Sequence, residues 1–63
     1  MSYSDYDFSE TFEAAERLYD EGRYFMAADM FRKCLEYTND AGKRSRVQNM
    51  IDMCGNASQR RDY

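Results

Sequence analysis

The sequence predicts an all-α fold, an antiparallel helical hairpin followed by a third, closing helix. Three observations carry this. Proline is absent throughout the 63 residues, so nothing forbids long helices. Apolar residues recur at helical spacing on both sides of Gly22. No segment alternates apolar and polar residues for long enough to make a strand, and the Asn-Gly or Asp-Gly pair of a tight hairpin is missing.

The first helix is expected to start near Asp7, which together with Glu10 forms an acidic variant of the capping box. The acids crowding this turn suit the positive end of a helix dipole. Phe8, Phe12, Ala15, Leu18 and Tyr19 then form one apolar stripe. Gly22 lets the backbone leave the helix. The second helix runs from about Tyr24 to Tyr37, with Ala27, Ala28, Phe31, Cys34 and Leu35 as its main stripe. Ala27 and Ala28 are small enough for a neighbouring backbone to come close. Met26, Met30 and Tyr37 fall on a different face.

The polar connector Thr38-Asn39-Asp40 offers Asn39 or Asp40 as the cap of the third helix. That helix is expected over Ala41 to Cys54, with Val47, Met50, Ile51 and Cys54 at i, i+3, i+4 and i+7. Gly42 weakens its first turn slightly, and Gly55-Asn56 is expected to end it. The resulting organisation is a flexible acidic N-terminal tail over 1–6, one three-helix domain over 7–56, and a flexible C-terminal tail over 57–63.

Within residues 14–37, Ala15, Leu18, Gly22, Tyr24, Ala27, Phe31, Cys34 and Leu35 match a pattern, and Gly22-Arg23-Tyr24 has the form of a Gly-x-Tyr turn. The stretch resembles a tetratricopeptide repeat, a helix–turn–helix unit of roughly 34 residues that stacks into protein-binding scaffolds. The resemblance implies that Ala27 sits at the closest contact of the two helices, that Phe31 is the large aromatic of the pair, and that Cys34 replaces a second small residue. Ala14-Ala15 stands where Leu-Gly is usual, and Asn39 where proline often ends the second helix. With the third helix, the chain makes about one and a half repeats. That is fewer than a solenoid needs to bury its core by stacking, which motivates an oligomer. Some members of the family grip a partner's C-terminal carboxylate with cationic and amide side chains. Phe12, Glu16 and Val47 occupy corresponding positions here and cannot form that clamp.

Composition sets further bounds. A chain of 63 residues holds at most one small domain with a marginal core. Net charge is −3, which disfavours general binding to nucleic-acid phosphates. The charge is unevenly distributed. Residues 1–21 carry seven acids against Arg17, residues 22–42 are balanced, and residues 43–63 carry five basic side chains against Asp52 and Asp62. An acidic front and a basic back can attract each other within or between chains.

No histidine is present, and the two cysteines, Cys34 and Cys54, fall on apolar faces. Two cysteines do not make a zinc site, and they read as reduced core residues in a cytoplasmic protein. A disulfide between helices and a site shared between two chains are the other readings of this pair. The N-terminus lacks the basic region and apolar core of a secretory signal, and no apolar run is long enough to span a bilayer. No glycine-rich phosphate loop or calcium loop occurs. The expectation is a non-enzyme without cofactor, metal or small-molecule substrate.

The function expected from the sequence is therefore a protein–protein interaction module or adaptor, self-associating through helix faces as a homodimer or higher oligomer. The candidate partner-binding residues are Glu13, Glu16 and Asp20 on the first helix and Met26, Met30 and Tyr37 on the second. One alternative is a nucleic-acid-associated regulator using Lys43, Arg44 and Arg46 with Arg60 and Arg61. Another is a structural subunit of a larger assembly.

Overall fold

The computed structural model describes residues 3–60, without the side chains of Gln59 and Arg60. The remainder of the two expected tails, residues 1–2 and 61–63, lies outside the described residues. The fold is all-α, with α1 over Asp5–Asp20, α2 over Tyr24–Cys34, a 3₁₀ turn over Leu35–Tyr37 and α3 over Ala41–Arg60. The central helix α2 packs against both α1 and α3.

The first helix begins earlier than its acids suggest. Ser4, in extended conformation, is the N-cap, and its hydroxyl accepts from the Asp7 amide at 3.2 Å. Asp7 therefore occupies the third helical position. The Ser4 amide donates to the Tyr37 carbonyl at 3.0 Å, which ties the start of α1 to the end of the 3₁₀ turn.

At the other end, Arg23 N–H donates to the Leu18 carbonyl at 2.9 Å and Gly22 N–H to the Tyr19 carbonyl at 3.0 Å. These are the two bonds of a Schellman cap. It requires a left-handed residue, and Gly22 supplies it with φ of +84°. Tyr19 and Tyr24 meet edge to face across this turn, with ring centroids 5.2 Å apart.

The apolar stripes converge as expected. Phe8, Ala15, Ala27, Phe31, Cys34, Val47 and Cys54 form the buried core, with Phe12, Leu18, Leu35, Met50 and Ile51 packed against it. Phe12 links Phe8 and Phe31 by two edge-to-face contacts, at 5.7 and 5.3 Å. Ala27 has no exposed surface.

Asp40 is the residue that caps α3. Its carboxylate accepts from the Lys43 amide at 2.9 Å and its carbonyl from the Arg44 amide at 2.9 Å. Thr38 is buried, and its hydroxyl accepts from the Asp40 amide at 3.1 Å, which holds the connector in place. A β-carbon at Gly42 would stand 3.2 Å from the capping Oδ2 of Asp40. The absent side chain at Gly42 thus gives the cap its room.

The third helix does not stop at Gly55-Asn56. It continues to Arg60, and Gly55 keeps a helical backbone. Glycine permits a helix to end but does not compel it. Here Ala57 and Ser58 are half-buried, so the added turn is held by packing. Among the described residues, no helix is long and apolar enough to cross a membrane.

Candidate interaction surface

Two grooves mark the surface of the helical unit, and they differ in chemistry. The first runs between α1 and α3. Phe8 and Phe12 line it, Glu13 and Glu16 stand on the α1 side, and Lys43 and Arg46 on the α3 side. Its volume is about 320 Å³. Its basic wall is engaged within the chain. Lys43 Nζ lies 3.0 Å from Asp5 Oδ1 and 5.3 Å from the centre of the Phe8 ring. The Arg46 guanidinium lies over the Phe12 ring at 5.9 Å.

The second groove lies between α2 and α3 and is more apolar. Tyr24, Phe25, Ala28 and Arg32 line it from α2, and Ile51, Cys54, Gly55 and Ser58 from α3. Its volume is about 290 Å³. A β-carbon built on Gly55 would meet no atom within 4 Å, so the α3 wall is open at that point. Phe25 on the rim is 82% exposed and its neighbour Met26 is 51% exposed. On α2, Phe25 shares its helical face with Asp29 and Arg32, which pair at 3.1 Å in the open.

The residues expected to bind a partner are distributed over these surfaces. Glu13 and Glu16 line the α1–α3 groove, and Asp20 is exposed near the end of α1 outside its lining. Met26 is exposed beside Phe25, whereas Met30 and Tyr37 are half-buried and pack against the core. The structure therefore does not gather Met26, Met30 and Tyr37 into one open face. Phe25, the most exposed large apolar side chain among the described residues, belongs to none of the apolar stripes read from the sequence. The signal that finds it is an aromatic residue spaced i, i+4 and i+7 with Asp29 and Arg32 on an otherwise charged face.

The cysteines are buried and unbridged. Burial in apolar surroundings pushes the Cys34 thiol up to about 11 from an ordinary 9.0, partly offset by a backbone hydrogen bond. Burial raises the Cys54 thiol as well, with the Arg32 charge working against it. Both are therefore neutral packing groups near neutral pH. Among the described residues, no three His, Cys, Asp or Glu side chains cluster as metal ligands, and no buried side-chain nitrogen or oxygen is left without a partner.

The cationic side chains of α3 have intramolecular roles. Arg44 donates through one guanidinium nitrogen to the Leu35 carbonyl at 3.0 Å and the Thr38 carbonyl at 3.1 Å. With Lys43 on Asp5 and Arg46 on Phe12, each basic residue of the first half of α3 has a partner in its own chain. The side chain of Arg60 and all of Arg61 lie outside the described residues. Compared with protein families, with curated proteins and with solved structures, the chain shows no match in any of the three.

Proposed function

We propose that this chain is a small tetratricopeptide-like interaction module that works by presenting a helix face to another polypeptide, and that it has no catalytic role of its own. The observation that carries this reading is the exposed Phe25 on the rim of the open α2–α3 groove. An apolar rim beside an apolar groove is a feature of protein contact surfaces. The tetratricopeptide comparison is supported by the Gly22 turn and by the complete burial of Ala27 within the helical hairpin. The engagement of Lys43, Arg44 and Arg46 within the chain favours this reading over nucleic-acid binding, which needs such side chains free for phosphates. Two buried, unbridged thiols suit a reducing, cytoplasmic setting.

Site-specific photocrosslinking tests the reading. A benzophenone amino acid replaces Phe25 in one variant and the exposed Glu10 of α1 in another. Covalent polypeptide adducts from position 25 and few from position 10 are the expected result. Equal yields from both positions, or no adduct from position 25, would overturn it.

A further inference from the structure

We infer that the α2–α3 groove is a self-association surface, on which two copies of this chain meet about a two-fold axis and each inserts Phe25 into the other's groove beside Gly55. This rests on the interaction-module reading above and names its partner as a second copy.

Charge selects that partner. The outward face of α1 carries Asp7, Glu10, Glu13, Glu16 and Asp20, all exposed, with Arg17 as the only base of that helix. Two copies meeting through α1 would set acid against acid, which opposes association. The α2 face is different. Asp29 and Arg32 pair on it at 3.1 Å and carry equal and opposite charges. A two-fold contact places the same patch on both sides, and a patch with a balanced pair is complementary to itself. Residues 22–42 as a whole carry no net charge.

Shape points the same way. Phe25 stands out from the surface at 82% exposure, and the groove it borders has no atom within 4 Å of a β-carbon at Gly55. The surface thus bears both a projecting aromatic side chain and a vacancy to receive one. A two-fold axis brings each copy's projection to the other's vacancy. Such an aromatic anchor in a desolvated pocket commonly dominates an interface. The contact would also enlarge the small buried core, a route to stability for short chains.

Sedimentation equilibrium tests this, with circular dichroism on the same samples. The unmodified chain is expected to show a monomer–dimer equilibrium. Phe25→Asp, which only alters an exposed side chain, is expected to raise the dissociation constant by about tenfold or more. Gly55→Leu provides a second variant. It fills the vacancy and favours helix, so it is expected to weaken dimerisation while leaving the fold at least as stable. Raising salt from about 0.05 to about 0.5 M is expected to change the constant by less than about threefold, since the contact is mainly apolar.

A chain that stays monomeric at millimolar concentration overturns the inference. So does a folded Phe25→Asp variant with undiminished dimerisation, which would place the interface elsewhere. Crosslinking at position 25 separates the two levels. A monomer that yields adducts there with a different polypeptide overturns the second copy and leaves the module reading standing. A monomer that yields none overturns both.

Discussion

The guanidinium of Arg44 donates to the carbonyl of Leu35 at 3.0 Å, so a side chain from the first turns of α3 closes the end of α2. The same nitrogen reaches the Thr38 carbonyl at 3.1 Å. The carbonyls at a helix end have no partners within the helix. Here a cation nine residues downstream of Leu35 supplies them, which also suits the negative end of the helix dipole. The connector between α2 and α3 is thus fixed by Arg44, by the Thr38–Asp40 turn and by the Asp40 cap acting together.

Arg44→Ala is expected to destabilise the fold by about 1–2 kcal/mol, since charge-assisted bonds to carbonyls are lost. For a domain of this size that is a fall in Tm of several degrees, roughly 4–8 °C per kcal/mol. Arg46→Ala is the control. Its guanidinium lies over the Phe12 ring at 5.9 Å without a carbonyl to cap. An exposed cation–π contact contributes about 0.5–1 kcal/mol. Thermal melts followed at 222 nm would decide it, and equal shifts in the two variants would deny Arg44 its special role.

Gly22 and Gly55 should respond to alanine with opposite signs. Gly22 holds φ of +84° and has open space around it, so Gly22→Ala meets backbone strain and no clash. The expected cost is about 1 kcal/mol. Gly55 is helical and equally open, so Gly55→Ala gains helix propensity of up to about 1 kcal/mol with nothing to displace. Urea titrations of both variants measure this directly. A stabilised Gly22→Ala protein would mean that the turn does not need its left-handed residue.

The two glycines also show how far local pattern reaches. Gly22 comes after an apolar stripe that ends at Tyr19 and before one that starts at Tyr24, so its role as a stop could be read from the sequence. Gly55 comes after a stripe in the same way, yet α3 passes through it. The difference lies three residues downstream, where Ser58 lines a groove against α2 and gains burial by staying helical. That is a tertiary contact, and no local pattern records it. At the N-terminus the signal was local. Asp7 and Glu10 have the spacing of a cap, but Ser4, three residues before Asp7, caps the helix with its hydroxyl and starts α1 at Asp5, and its amide also binds the Tyr37 carbonyl.

The core was legible because helical periodicity depends on each helix alone. The surface was less so. Met26, Met30 and Tyr37 share an off-stripe position in sequence, but burial by the neighbouring helices separates the exposed Met26 from the other two. Phe25 stands out as a surface feature only through its 82% exposure beside the groove, which depends on where α3 packs.

Core packing around Phe31 is expected to be intolerant of truncation. Phe31 is fully buried and meets Phe12 edge to face at 5.3 Å. Phe31→Ala removes about 3–5 kcal/mol, which is as much as a core of this size supplies. The expected outcome is loss of the cooperative thermal transition. Ala27→Leu should also destabilise, by about 1–3 kcal/mol, since the site has no exposed surface and no room for a larger side chain without shifting its neighbours. A cooperative melt retained by Phe31→Ala would show that α1 and α2 hold together without their aromatic contacts.

Cys34 gives the fold a specific response to alkaline pH. Its thiol is fully buried, and burial raises it from 9.0 to about 11. In the unfolded chain it loses its proton near the ordinary value, while in the folded chain it keeps it. Because the folded value is the higher one, the contribution is complete below pH 9 and is lost as pH rises from 9 to about 11. The comparison that isolates Cys34 is with Cys34→Ala. At pH 7 that variant is expected to be less stable by about 1 kcal/mol, because a small buried group is deleted. The deficit should shrink as pH rises through this window, because only the unmodified chain has this thiol to ionise. Urea midpoints of the two proteins at pH 7, 9 and 11 test this. A stability gap that stays constant across the series would show that the Cys34 thiol ionises alike in the folded and unfolded chain.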